Sequence, residues 1–259
     1  MQILILSAIA GIAGMGLGGI CAVLLARDNS AMHCRMLSFA GGVMVSIVCF
    51  GLIPESLHLA GIQMTILGLV LGVLILMPLN RIVDKLTAGG EKSSEVHQTV
   101  EELLHADGVI HNSQALLRSG IIMIVAIALH NMPEGIAIGA GGSHDSQLGM
   151  MMALMIGLHN IPEGLAITAP LIIGGVPRTR AVLITALSGT PTLIGCLIGM
   201  LIGTISDAAI ALSLASAGGA MLYVVFGEII PQSVVMTRSR SVTMSTLVGI
   251  LVGFMIAVM

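Results

Sequence analysis

The chain contains the segments HNMPEG at residues 130–135 and HNIPEG at residues 159–164, each inside an apolar stretch. In the first segment the histidine and the glutamate are four residues apart, and the second segment repeats that spacing. Residues four apart lie on the same face of an α-helix, about one turn from each other. Each segment therefore predicts a helix that presents one imidazole and one carboxylate side by side.

The composition around these segments indicates a membrane protein. Of the 259 residues, 56% are hydrophobic and 9% are charged, whereas soluble domains carry about 25% charged residues. The net charge of -3 gives no reason to expect a nucleic-acid partner. A spanning helix needs about 20 mostly apolar residues, and eight stretches meet this requirement. They are Ile3–Ala26, Met36–His58, Gly61–Asn80, Ser119–Gly141, Gln147–Leu171, Arg180–Gly203, Ser206–Val234 and Ser241–Met259. The expected fold is a single all-α membrane domain over residues 1–259, with eight transmembrane helices.

The basic residues predict the orientation of these spans. All ten Lys and Arg lie in or beside alternate connections, namely the first, third, fifth and seventh. They are Arg27, Arg35, Arg81, Lys85, Lys92, Arg118, Arg178, Arg180, Arg238 and Arg240. The positive-inside rule places those four connections in the cytoplasm and both termini outside. We therefore expect a multi-pass protein of the cell membrane (inner or plasma membrane).

The third connection, about residues 81–118, is the one long cytoplasmic loop that this topology predicts. It is polar and carries His97, His105 and His111 among acidic residues. One interpretation is a solvated, partly disordered loop. The other is a loop that senses or receives a metal ion, and the three histidines do not decide between them.

Two further segments predict an internal repeat. AGGVM at residues 40–44 is followed by FGLIPES at 50–56, and AGGAM at 217–221 is followed by FGEIIPQS at 226–233. On the predicted topology the two copies cross the membrane in opposite directions, as do the two HNxPEG helices. Similar segments of opposite orientation are typical of inverted repeats in secondary transporters. Helices 1–3 and 6–8 are expected to surround helices 4–5, with a site near the midplane.

The motif chemistry favours a metal ion at that site. His130 follows Arg118 by 12 residues and His159 follows Gln147 by 12 residues, so each lies about 18 Å inside a layer about 30 Å thick. Each carboxylate at that depth costs about 2.5–3.5 kcal/mol, and no Lys or Arg is expected there to pair with it. A divalent cation would offset the cost, and mixed His and carboxylate ligands suit zinc and its neighbours. The alternative is a set of core histidines hydrogen-bonded to the glutamates.

HNxPEG in two successive helices resembles the ZIP (Zrt/Irt-like) family of divalent metal transporters, in its prokaryotic form. The resemblance extends over the whole chain, with eight spans and a long loop after the third. It implies transport of zinc, or of iron, manganese or cadmium, towards the cytoplasm through a site between helices 4 and 5. The metal is then the substrate and not a cofactor, and the expected partners are divalent metal ions and the lipid bilayer. A homodimer is left open.

The resemblance also implies the site residues. A first metal site would use His130, Glu134, His159 and Glu163, with Met44 as a soft extra ligand. A second site would use Asn131 and Asn160 and would share the two glutamates.

Two further positions follow from the same resemblance. Family members with two metals often carry a Glu in the sixth helix where this chain has Thr192, so the second metal is left open. Glu228 matches a family position linked to metal exit.

Two other functions are alternatives to transport. Zinc peptidases commonly use HExxH, in which the Glu beside the first His is the base. Asn131 and Asn160 occupy that position here, so a membrane-embedded metalloenzyme is the weaker alternative and no enzyme activity is expected. A non-transporting metal sensor or scaffold is a third hypothesis. Near the predicted outer face four residues could attract cations or serve only as helix ends, namely Glu55, His58, His144 and Asp145.

Overall fold

The computed structural model describes residues 1–25, 30–87, 113–144, 146–202, 206–237 and 239–258, which are helical almost throughout. Within these ranges the chain forms eight helical spans, numbered here in chain order. They are α1 (Gln2–Leu25), α2 (30–60), α3 (62–87), α4 (Ser113–His144), α5 (Ser146–Ile173), α6 (178–202), α7 (207–237) and α8 (Arg240–Ala257). Single π-helical turns interrupt α1 at Ile9–Ala13, α2 at Val48–Leu52 and α7 at Val225–Ile229. The all-α membrane fold predicted from the sequence is confirmed.

The division between α2 and α3 lies at a single glycine. The apolar run Cys34–Pro78 has 45 residues, twice the number that a bilayer requires, so it must turn back. It does so at Gly61, whose φ of 73° lies in the region that glycine adopts at little cost. Ser56 stabilises the turn, because its hydroxyl lies 2.9 Å from the Thr65 hydroxyl and donates to the carbonyl of Ala211 at 2.9 Å.

The helices flanking the predicted cytoplasmic loop extend beyond their predicted ends. α3 remains helical to Thr87 and α4 begins at Ser113, inside the predicted loop of residues 81–118. Hydropathy marks where the apolar residues end, whereas helical hydrogen bonding continues into the polar residues that follow. His97, His105 and His111 lie outside the described residues, so their role stays a prediction.

Glycines bring several pairs of helices into backbone contact, and four of these pairs show the same pattern. A Cβ on Gly18 of α1 would overlap the carbonyl of Ile161 on α5, and a Cβ on Gly135 of α4 would overlap that of Thr192 on α6. Equivalent contacts join α2 to α8 at Gly42 and α3 to α7 at Gly72. Small residues at such positions are typical of membrane helices, whose association depends on close packing.

These four contacts also show the relative directions of the helices. In each pair the residue numbers increase together along both helices, as Gly135 meets Thr192 and Gly139 meets Cys196. The helices of a pair therefore run parallel. Each pair joins two odd-numbered or two even-numbered spans, as a chain that crosses the membrane eight times requires.

The eight helices form two groups. Helices α1, α4, α5 and α6 pack together, helices α2, α3, α7 and α8 pack together, and the groups meet mainly where α2 contacts α5 and α7 contacts α4. Exchanging α1 with α6, α2 with α7, α3 with α8 and α4 with α5 maps these contacts onto one another. The π-helical turns of α2 and α7 occupy matching positions in the repeated segments. The sequence predicted that helices 1–3 and 6–8 surround helices 4–5. The structure refines this arrangement, because α1 and α6 pack in the same group as α4 and α5.

Candidate metal centre

The two motifs meet where α4 and α5 pack side by side. Gly142 lies against Gly149, and Gly120 lies against Leu171, so the two helices run antiparallel. The six polar residues of the motifs are all buried, with exposed fractions of 2% or less. They are His130, Asn131, Glu134, His159, Asn160 and Glu163. Antiparallel packing therefore brings both motifs to one enclosed place, as the sequence predicted.

One carboxylate oxygen links the two histidines. His130 Nε2 lies 2.8 Å from Glu163 Oε1 across the helix boundary, and His159 Nε2 lies 2.6 Å from the same oxygen. Glu134 Oε1 lies 3.7 Å from His159 Nε2. The ring centroids of the two histidines are 6.3 Å apart. The motifs thus form a single cluster, not two separate pairs.

The cluster has donor atoms close enough to share one ion. One ligand atom each from His130, His159 and Glu163 lies within 4.8 Å of the other two. Imidazole nitrogens and carboxylate oxygens bind Zn²⁺ at about 2.0–2.2 Å, so the ligands around one zinc ion are about 3.3–3.6 Å apart. Small side-chain movements would therefore bring these three atoms to coordination distance. In such a complex, bonds to the metal replace the hydrogen bonds between imidazole and carboxylate.

Several buried oxygen atoms in the cluster have no hydrogen-bond partner among the described residues. They are both carboxylate oxygens of Glu134, Oε2 of Glu163, and the amide oxygens of Asn131 and Asn160. A buried acceptor without a partner costs about 1–3 kcal/mol. Buried oxygen atoms without hydrogen-bond donors are a suitable environment for a cation.

The asparagine side chains are oriented by neighbouring helices. Asn160 Nδ2 donates to the carbonyl of Ala10 on α1 at 2.9 Å, and Asn131 Nδ2 lies 3.5 Å from the carbonyl of Ser188 on α6. Each amide nitrogen therefore contacts a neighbouring helix, and each amide oxygen remains without a hydrogen-bond partner among the described residues. The two contacts correspond under the exchange of α1 with α6 and α4 with α5.

Thr192 lies on α6, where that helix contacts α4. It is fully buried, its hydroxyl oxygen has no partner among the described residues, and its carbonyl accepts a hydrogen bond of 3.1 Å from Ser7. The same carbonyl abuts Gly135, the residue that follows Glu134. The backbone of Thr192 thus contacts α4 next to Glu134, whereas its side chain lies against Gly11 of α1.

Two other predicted residues lie in α2 and α7. Met44 is fully buried in the main apolar cluster, which joins side chains of α1 to α7. Glu228 is half-buried in the π-helical turn of α7. A ligand role for Met44 and an exit role for Glu228 stay predictions.

A cavity of about 540 Å³ leads to the cluster from one end of the molecule. It lies between α2, α5 and α8, and its lining includes Glu55 and His58 at the exposed end and His159 at the buried end. The predicted spans place Glu55 and His58 near the outer face. The sequence does not indicate which side of α2 faces α5. Asp145 and the side chain of His144 lie outside the described structure.

Known proteins resemble this chain over most of its length. A family model described as ZIP Zinc transporter matches residues 84–259. A protein named zinc transporter ZupT from Akkermansia muciniphila is 33% identical over 243 residues, covering 90% of this chain and 88% of the relative. ZupT from Nitratidesulfovibrio vulgaris is 32% identical, covering 88% and 86%. Zinc transporter GufA from Myxococcus xanthus is 38% identical over 140 residues, which are 54% of each protein.

These relatives are named as transporters and not as enzymes, in agreement with the interpretation of the two motifs. The matched region contains both HNxPEG helices and every span after the third. The chain is a multi-pass membrane protein that belongs to the ZIP zinc transporter family.

Proposed function

We propose that this chain transports divalent metal ions, principally zinc, across the membrane through the cluster between α4 and α5. The observation that carries the proposal is that two imidazoles and two carboxylates are buried together inside a multi-pass membrane protein, with several oxygens unpaired. Ionisable groups inside a membrane are expensive and are functional by default. The names of the relatives support zinc as the substrate.

The proposed ligands follow from the geometry of the cluster. His130, His159 and Glu163 contribute the three closest donor atoms, and Glu134 completes the set with its unpaired oxygens. Met44 is retained from the family resemblance as a soft additional ligand.

A second position would be formed by the amide oxygens of Asn131 and Asn160 and by the shared glutamates. Thr192 adds only a neutral hydroxyl there, so we propose that one metal ion is held firmly and a second one weakly.

The direction of transport follows from the proposed orientation of the chain. With both termini outside, the cavity beside Glu55 and His58 faces the outside, and the ion first meets His159. On the opposite side, Met123 and Ile127 precede His130 on α4 and are fully buried in the main apolar cluster with Val224. We propose that the structure is an outward-facing state, closed to the cytoplasm, and that Glu228 lies on the exit path.

Alternating access would occur at the boundary between the two helix groups. The groups meet mainly where α2 contacts α5 and α7 contacts α4, and these two contacts correspond under the repeat exchange. If one of these two contacts opened while the other closed, the outward-facing state would become a state that opens to the cytoplasm. A continuous open pore, observed by cross-linking or in a structure, would contradict this mechanism.

A flux assay in sealed proteoliposomes tests the proposal. The wild type is expected to carry Zn²⁺ into the vesicles, and the double variant Glu134→Ala and Glu163→Ala is expected to reduce flux to the background level. Asp207→Asn, an exposed carboxylate at the start of α7, is the matched control. Uptake that is unchanged in the double variant would overturn the proposal, as would metal-dependent turnover of a lipid or peptide without ion flux.

The remaining details of assembly are proposals of the same kind. We propose one domain over residues 1–259 in the cell membrane, with both termini outside and the connection near residues 81–118 in the cytoplasm. A reporter fused to either terminus should be accessible from outside. A homodimer is compatible with this arrangement, and cross-linking of the protein in membranes at low expression would reveal it.

A further inference from the structure

The cavity beside His159 has a wall of methionine side chains. Among its described lining residues, Glu55, His58 and His159 are the ones with ionisable side chains, and most of the others are apolar. Three methionines at the beginning of α5 also line it, namely Met151, Met152 and Met155. An ion that moves from Glu55 and His58 to His159 therefore passes thioethers and few other polar groups.

Two of these methionines share a helix face with His159. Met152, Met155 and His159 are separated by three and then four residues, the spacing that aligns side chains along one side of a helix. At 1.5 Å per residue, Met155 lies about 6 Å and Met152 about 10 Å before His159 along the axis of α5. Successive thioethers thus lie at short intervals between the cavity mouth and the first imidazole.

Methionine is common in apolar cores, where its flexible side chain fills gaps. Other core methionines of this chain show that pattern, because Met15, Met123 and Met221 are fully enclosed. Met152 and Met155 differ from them, since they are half-buried and border an open volume that leads to buried ionisable groups. Met152 also packs against an apolar cluster that includes Ile156. Packing therefore explains part of its position, but not the open volume that both methionines border.

We propose that Met152 and Met155 bind the metal ion transiently on its way to His159 and that they favour soft and borderline ions over hard ones. Thioether sulfur prefers soft metals, whereas Mn²⁺ and Mg²⁺ prefer oxygen ligands. A neutral thioether holds a divalent cation weakly enough to release it to the imidazole and carboxylates beyond. The inference rests on the proposed transport function and identifies a selectivity step ahead of the central cluster.

The test compares Cd²⁺ and Mn²⁺ flux in proteoliposomes for the wild type and for the double variant Met152→Leu and Met155→Leu. Leucine keeps the apolar volume and removes the sulfur, and such exchanges are well tolerated. We expect the KM for Cd²⁺ to rise by about 3- to 10-fold while the KM for Mn²⁺ changes by less than about twofold, because only Cd²⁺ loses a favourable ligand. Met150→Leu is the control, since Met150 is exposed on the same helix and does not line this cavity.

The outcomes separate this inference from the proposed function. An equal change for both metals, no change for either, or the same change in Met150→Leu would overturn the role of the thioethers. A wild type that carries none of Zn²⁺, Cd²⁺ and Mn²⁺ would overturn the transport proposal itself. If the double variant does not assemble, as judged by absent Mn²⁺ flux, Met155→Leu alone replaces it with the same expected loss of Cd²⁺ preference.

Discussion

His130 on α4 and Glu163 on α5 are joined across the helix boundary, with the imidazole Nε2 2.8 Å from the carboxylate Oε1. The same oxygen is 2.6 Å from His159 Nε2, so Glu163 has a central position that Glu134 lacks. The two motifs are identical in their polar residues, yet their glutamates have different surroundings. Unequal roles for the two glutamates follow from this difference.

We expect Glu163→Gln to weaken zinc binding more than Glu134→Gln does. The first substitution removes the charged oxygen that both imidazoles approach, whereas the second leaves that oxygen in place. Substitution of residues that only orient metal ligands weakens metal binding by about 10- to 100-fold. Loss of a central ligand itself should weaken zinc binding by at least this factor. Isothermal titration with Zn²⁺ measures the difference, and equal losses in the two variants would contradict it.

The two histidines should differ in their kinetic effects. His159 lines the cavity, whereas His130 is not among the described residues that line it. We expect His159→Ala to raise the KM for Zn²⁺ uptake by about tenfold, since the first imidazole that the ion meets is lost. His130→Ala should act mainly on the maximal rate, because His130 lies on the closed side. Initial-rate measurements over a range of zinc concentrations would refute this if both variants changed the same constant.

Glu55 should contribute by attracting cations to the mouth of the cavity. Its carboxylate is exposed, so its effect must decrease as salt screens it. We expect Glu55→Gln to lower uptake at sub-saturating zinc by about two- to threefold at low ionic strength and by little at 0.15 M salt. Equal losses at both salt concentrations would point to a structural role for Glu55. Asp207→Asn again provides the exposed control.

Replacing Thr192 by glutamate should increase the number of metal ions bound. A third carboxylate at this position, on the helix that contacts Gly135 next to Glu134, would help to balance the charge of a second divalent cation. We expect one Zn²⁺ per chain in the wild type and two in Thr192→Glu, as measured by elemental analysis after dialysis. Thr192→Gln adds similar bulk without charge and should keep one. Two ions in the wild type would contradict the proposed effect of the hydroxyl.

The close glycine contacts should be sensitive to a single methyl group. A Cβ on Gly135 would overlap the backbone of α6, whereas a Cβ on Gly227 has nothing within 4 Å. We expect Gly135→Ala to destabilise the protein by about 1–3 kcal/mol, the usual cost of overpacking, and Gly227→Ala to be nearly neutral. Because Cys34 and Cys196 are buried, their reaction with a thiol dye on heating reports unfolding. Equal unfolding temperatures for the two variants would contradict the close packing of α4 against α6 at Gly135.

Much of this architecture could be predicted from composition and spacing. The apolar lengths and the alternation of Lys and Arg yield eight spans, and the matching depth of His130 and His159 yields one shared site. The grouping of α1 and α6 with α4 and α5 was not predicted, because hydropathy does not say which helices touch. A partial signal was present, since Gly14 and Gly18 on α1, Gly135 and Gly139 on α4, and Gly195 and Gly199 on α6 are each four residues apart.

The cavity and its methionines were also beyond the reach of the sequence. Met152 and Met155 share a helix face with His159, but a methionine in an apolar helix usually faces lipid or core. Whether Met152 and Met155 face lipid, the core or a cavity depends on the distance between α2 and α5, and the sequence does not give that distance. For the same reason, Glu55 and His58 could be placed near an outer face but not beside a passage to His159.

Backbone contact at Gly18 and Gly135 leaves no side chains between α1 and α5 or between α4 and α6 that could repack. Sliding within such a pair would collide backbone against backbone, so those helices must keep their relative positions during transport. All the proposed motif ligands belong to this one immobile set, and the asparagines are tied to α1 and α6 as well. The motif ligands could thus stay on the ion as it changes sides, because their helices would move together relative to the other helix group, which carries Met44.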